Sequence, residues 1–254
     1  MQVRLGVTIV LDLHYMVFLR GSNHMTRYLT TFLKAVELRF SDMTNPKISL
    51  ILTGIIEMDA STQAKIYDEN SILLNRVDGS WTRGYLRKVR NIFPIDKDVI
   101  LILTGFNLWA VGDSLGGNIT NSADNRGACT TSNIALCEDD GLRFSGVGSA
   151  AQAIAQLLGA RHDSSSATNA NCLERRGYLL SSWTGMSDHY NLSACGKAQI
   201  ANKLKSDKQR RECMLREPIV EESMRGMQRS QELPYDFFND TNPCNLFYGL
   251  PSCE

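Results

Sequence analysis

Residues Leu5 to Leu11 read LGVTIVL, an apolar and largely β-branched run without alternation, as a strand covered on both faces requires. Further on, Leu29, Phe32, Leu33, Val36 and Phe40 recur at helical spacing within HMTRYLTTFLKAVELRF, which predicts an amphipathic helix that Asn45-Pro46 should stop. KISLILTGIIEM predicts a second strand, SILLNRVDGSWTRGYLRKVRN a second helix, and DKDVILILTG a third strand. Strand, helix, strand, helix, strand in that order predicts an α/β fold, with a mostly parallel twisted sheet wrapped by crossover helices.

From Asn107 to Asp140 the chain is rich in Gly, Asn and Asp and suits loops and short edge strands, with SNIALC (Ser132 to Cys137) as the strand candidate. The stretch AQAIAQLLGARHD, residues 151 to 163, predicts a third helix. Ala151, Ile154, Ala155 and Leu158 form its apolar face, while Gln152 and Gln156 share another face one turn apart. Gly159 should end the helix in a left-handed turn and bring His162 back towards the glutamines. QIANKLKSDKQRREC predicts a last helix, and the tail beyond it lacks periodicity.

Lys plus Arg and Asp plus Glu are both 27 in 254 residues, so no net field draws the chain to nucleic acid or an anionic membrane. The basic runs RGYLRKVR and KLKSDKQRR read as solvated helix faces. LGVTIVLDLHYMVFL is broken by Asp12 and His14, so no stretch is expected to span a membrane, and the same stretch does not read as a signal peptide. Seven cysteines, Cys129, Cys137, Cys172, Cys195, Cys213, Cys244 and Cys253, lie in the second half without a CxxC pair. Disulfides in an oxidising compartment are therefore expected. Sequons at Asn118 (NIT), Asn191 (NLS) and Asn239 (NDT) agree, and together they predict a secreted, extracellular glycoprotein whose export signal is not in this chain.

GDSLGG, residues 112 to 117, fits a G-x-S-x-G elbow with Ser114 as nucleophile. That elbow must lead into a helix, and NITNSADNRG is a poor helix former, so the segment reads as a Gly/Ser-rich loop.

Taken with the strand order, the 151–163 stretch resembles the zinc signature H-E-x-x-H-x-x-G-x-x-H-D of the reprolysins, metzincin proteases that include snake-venom, ADAM and tick salivary enzymes. NPKISLILTGI, DVILILTGF, ALCEDDG, GYLLSSW after Cys172, and LSACGKAQIANKL extend the resemblance. It implies a metalloprotease-like domain over residues 3–215 and a short cysteine-containing tail over 216–254. It also implies disulfides Cys129–Cys213, Cys172–Cys195 and Cys244–Cys253, with Cys137 left over as a buried thiol or an intermolecular bridge.

The family binds zinc through three histidines and uses the glutamate as general base. In this sequence Gln152 and Gln156 stand at the first two ligand positions, Ala153 at the general base and Leu180 at the Met-turn methionine, while His162 and Asp163 remain. The other histidines, His14, His24 and His189, do not suggest a relocated site. No cofactor is therefore expected. The expected function is that of a pseudoprotease that binds an extracellular protein or peptide, such as a host protein. The alternative is an active zinc metalloendopeptidase with a non-standard metal site. A structural calcium is not expected either, because Asp98 matches one ligand position but Gly6 stands where a glutamate is needed.

Overall fold

The computed structural model describes residues 1–17, 19, 22–67, 76–88, 93, 98–110, 117–163, 172–181, 187–227 and 231–238. In chain order the elements are β1 (Gln2–Leu11), α1 (Leu13–Met16), α2 (Ser22–Leu38), β2 (Lys47–Glu57), α3 (Ala60–Ile66), β3 (Arg76–Asp78) and α4 (Gly79–Lys88). They continue with β4 (Val99–Thr104), β5 (Asn107–Ala110), β6 (Gly117–Ile119), β7 (Asn121–Ala123), β8 (Ile134–Glu138) and α5 (Val147–Leu158). The last are α6 (Ala194–Ser206), α7 (Lys208–Leu215) and α8 (Pro234–Phe237).

The main sheet has the order β2-β1-β4-β8-β7. Its first four strands are parallel and β7 runs antiparallel at the edge. The apolar runs are continuous because the sheet is covered on both sides. Val7, Ile9, Leu101, Leu103 and Ala135 point to the layer of α2, α5 and α6, while Val10, Ile100, Ile102 and Leu136 point to the layer of α3 and α4. The β1–β2 register slips between Val7 and Thr8, leaving Thr53 as an extra residue on β2. Thr53 bonds through its hydroxyl to Thr8 and through its carbonyl to the N–H of Glu221.

Several expected boundaries move, each for a local reason. β1 starts earlier than its apolar run, at Gln2, and ends with it at Leu11, because the Asp12 carboxylate accepts from Tyr15 N at 2.7 Å and starts α1, which places His14 in a helical turn. α2 stops at Leu38, well before Asn45-Pro46. Of the expected second helix, Arg76–Asp78 is instead a strand, since Val77 is buried beside Leu108 of β5 in a second sheet ordered β3-β5-β6. The expected last helix is two helices. Asp207 closes α6 with its backbone N–H and opens α7 by accepting from Arg210 N at 3.1 Å.

Two disulfides, Cys129–Cys213 and Cys172–Cys195, staple the chain. Cys244, Cys253 and Asn239 lie outside the described residues. Cys137 is free and buried in the α2/α5 layer, where burial pushes its thiol pKa up. Beyond residue 215, Met224 and Phe237 join the same core, and Phe237 meets the Tyr28 ring edge-on at 5.7 Å. No described helix is long and apolar enough to cross a membrane.

Asp139 follows β8 and fastens three elements. Its Oδ2 accepts from Tyr15 and Tyr28 hydroxyls, both at 2.8 Å, and from Gly141 N at 3.0 Å, while Oδ1 accepts from Gly146 N at 2.6 Å. Burial nevertheless holds this carboxyl above the ordinary range, the four donors opposing the shift. Asp139→Asn turns one acceptor into a donor facing a buried N–H. It should lower stability by about 1–3 kcal/mol, read as a lower urea midpoint at unchanged m. An unchanged midpoint would contradict this account.

Candidate functional site

α5 carries the candidate site. Its described interior is buried along its length, including Gln152 at 9 % and Gln156 at 8 % exposure, so the polar faces of these side chains must find partners inside the protein. The helix ends at Gly159, whose φ of 112° no other residue type adopts readily, and whose N–H bonds back to Ala155 and Gln156 carbonyls. A Cβ there would lie 2.8 Å from Lys203 Cγ. The turn returns the chain so that His162 Nε2 sits 2.8 Å from Gln156 Nε2.

The hydrogen-bond pattern settles the direction of each contact. His162 Nδ1 lies 3.0 Å from the Leu180 carbonyl, an acceptor only, so Nδ1 carries the proton. In the neutral ring Nε2 then holds the lone pair, and the Gln156 amide N–H donates to it. Gln152 is also committed at both ends: Nε2 donates to the Leu179 carbonyl at 2.6 Å, and Oε1 accepts from Asn121 Nδ2 of β7 at 2.8 Å. Ala153 is a buried methyl. Asp163 accepts from the Ser193 hydroxyl at 2.7 Å and gives its N–H to Leu180, and burial raises its carboxyl pKa. Leu180 is itself buried; its carbonyl, not its side chain, orients His162.

Gln152, Gln156 and His162 line a cleft of ≈ 460 Å³ whose other walls include Asn121 to Ala123 of β7 and Ser181. Arg83 of α4 stands at the cleft, paired with Asp124 at 2.9 Å. Asn121, the partner that completes Gln152, carries no signal in the sequence that links it to α5. Asn118 is exposed on β6 at the cleft wall, and Asn191 is half-buried with its backbone tied to Leu179 and Asp188. Ser114 lies outside the described residues.

This donor set does not fit zinc. One imidazole lone pair is taken by an amide N–H, the second amide is bonded at both ends, and an amide oxygen is a weak partner for a metal that favours imidazole and thiolate. Among the described residues the grouping with metal-ligand spacing is Asp98, Cys129 and Cys213, and its two sulfurs are bonded to each other. Asp98 is also engaged, accepting from Gly6 N at 2.9 Å and facing the Arg216 guanidinium at 3.3 Å. A Cβ at Gly6 would lie 2.9 Å from both Pro218 and Thr53 side chains, so a glutamate does not fit there.

No family model matches the chain. Over 159 residues it is 30 % identical to Venom metalloproteinase 3 of Eulophus pennicornis, covering 59 % of this chain and 37 % of that protein. The likeness is to a metalloproteinase. The chain thus spans well under half the length of this curated relative. Among solved structures, archaemetzincin from Methanopyrus kandleri superposes with a TM-score of 0.46 at 13 % identity, over 80 % of this chain and 96 % of that one. A chain of a chaperone-substrate complex gives 0.40 at 14 % identity, over 67 % and 25 %.

The two glutamines should differ in their structural weight. Gln152→Ala strips partners from the Leu179 carbonyl and from Asn121, and should cost about 1–3 kcal/mol in urea unfolding. Gln156→Ala leaves only Nε2 of the exposed His162 ring without its partner and should cost less than about 1 kcal/mol. Equal losses would show that the α5–β7 bridge has no special role.

Proposed function

We propose that this chain is a secreted, reprolysin-type metzincin domain that has lost peptidase chemistry and acts by binding an extended segment of an extracellular protein. The observation that carries the reading is the His162–Gln156 bond. The one imidazole at the candidate site spends its lone pair on an amide donor, and the adjacent Gln152 amide is locked between Asn121 and Leu179. With Ala153 in place of a carboxylate, the general-base contribution of ~10²- to 10⁴-fold has no source at that position. The metalloproteinase relative and the two disulfides support a secreted protease ancestry. Among the described residues β7 pairs with β8 alone and forms the sheet edge beside the cleft, which supports strand addition as the binding mode.

The test compares native chain with the Gln152→His/Ala153→Glu/Gln156→His variant. After dialysis against micromolar zinc and washing, the native chain should retain far less than one zinc per molecule and cleave no peptide in a chelator-sensitive manner. The triple variant should take up one zinc. Stoichiometric zinc in the native chain, or chelator-sensitive cleavage by it, would overturn the proposal. For the binding mode, peptides selected on the native chain from a random library should slow amide exchange at residues 121–123. Protection that spares β7 would reject strand addition.

A further inference from the structure

A second concavity lies near the N-terminal end of α5, on the side of α2 and α8, and has a volume of ≈ 660 Å³. That is within the usual range for small-molecule pockets, ~300–1,000 Å³. Its walls are mostly apolar: Leu38, Phe144, Val147, Leu233 and Tyr235. Leu38 is 40 % and Tyr235 83 % exposed, so large apolar surface faces solvent around this hollow.

Two arginines interrupt it, of which Arg143 faces Asp140. Arg39, half-buried at the end of α2, stacks its guanidinium 4.1 Å from the centroid of the Tyr190 ring. The nearby acids are committed elsewhere: Glu37 to Leu50 N and Lys34, Asp42 to Lys197, and Asp140 to Arg143. Among the described residues Arg39 has no carboxylate partner, whereas Arg83 pairs with Asp124 and Arg216 with Asp98. A guanidinium that is partly desolvated, held by a ring and unpaired is poised to take up a planar anion through two parallel N–H donors.

We propose that this pocket binds a small amphipathic carboxylate, its acid group on Arg39 and its hydrocarbon body between Leu38, Val147 and Tyr235. A single unpaired cation matches a monoanion, since Arg143 already faces Asp140. The hollow accommodates a chain of about ten carbons in the volume range of small-ligand sites. The site is separate from the α5–β7 cleft and does not depend on how that cleft is used.

The test is calorimetric titration of the native chain with decanoate below its micelle concentration, beside decanol and decyltrimethylammonium. Decanoate should saturate one site, with decanol weaker by about tenfold or more and the cation not binding. Arg39→Gln should weaken decanoate about tenfold and leave decanol unchanged. Leu38→Glu, at a helical position 40 % exposed, should also abolish decanoate binding by placing a like charge at the mouth. Failure of decanoate to saturate, equal affinity for decanol, or decanoate binding that survives either substitution overturns the proposal.

Discussion

The Leu180 carbonyl faces His162 Nδ1 at 3.0 Å and keeps a proton on that nitrogen. That contact decides where the ring's lone pair goes, and hence what Gln156 can do with its amide. Because the carbonyl belongs to the same segment that accepts from Gln152 and from Asp163 N, the helix, the glycine turn and the Leu179–Leu180 turn are tied through adjacent backbone positions. A polar floor in a buried place is tolerated only when each donor meets an acceptor, and here the side chains supply one another. The Gln152 amide and both ring nitrogens of His162 are bonded within the protein, so a cation drawing on them must displace an existing bond.

How much of this was readable in the residues depends on how local the cause is. β1, β2 and β4 are legible because strands covered on both faces must be apolar throughout, and the Gly159 turn is legible because a positive φ selects its residue. Asp12 and Asp207 show the limit. Asp12 interrupts an apolar run and Asp207 lies in a charged one, and each caps a helix whose start a periodicity reading passes over. The β3-β5-β6 sheet was hidden for another reason. Its strands are three or four residues long and owe their extension to partners distant in sequence.

In the candidate site, the spacing of Gln152, Gln156 and His162 around a helix and a glycine turn follows from the helical repeat and could be read directly. The roles of Asn121 and of the Leu179 and Leu180 carbonyls could not. They depend on tertiary placement, and main-chain acceptors have no residue signature at all. Arg39 is similar: nothing in its surrounding sequence distinguishes it from the other arginines, and only the allocation of neighbouring carboxylates does.

Arg210 gives the cleft a mechanical property. Its guanidinium spans from Ala128, next to the disulfide at Cys129, to the Leu157 carbonyl at the end of α5, with bonds of 3.1 and 3.0 Å. The helix bearing the glutamines is thereby braced from its far side by a cross-member anchored to α7. β7 is three residues long and is joined to that helix through Asn121 and Gln152. Parting β7 from the helix costs the Asn121–Gln152 bond, whereas shifting the helix also costs the two Arg210 bonds, which makes the rim the weaker jaw and the helix the anvil.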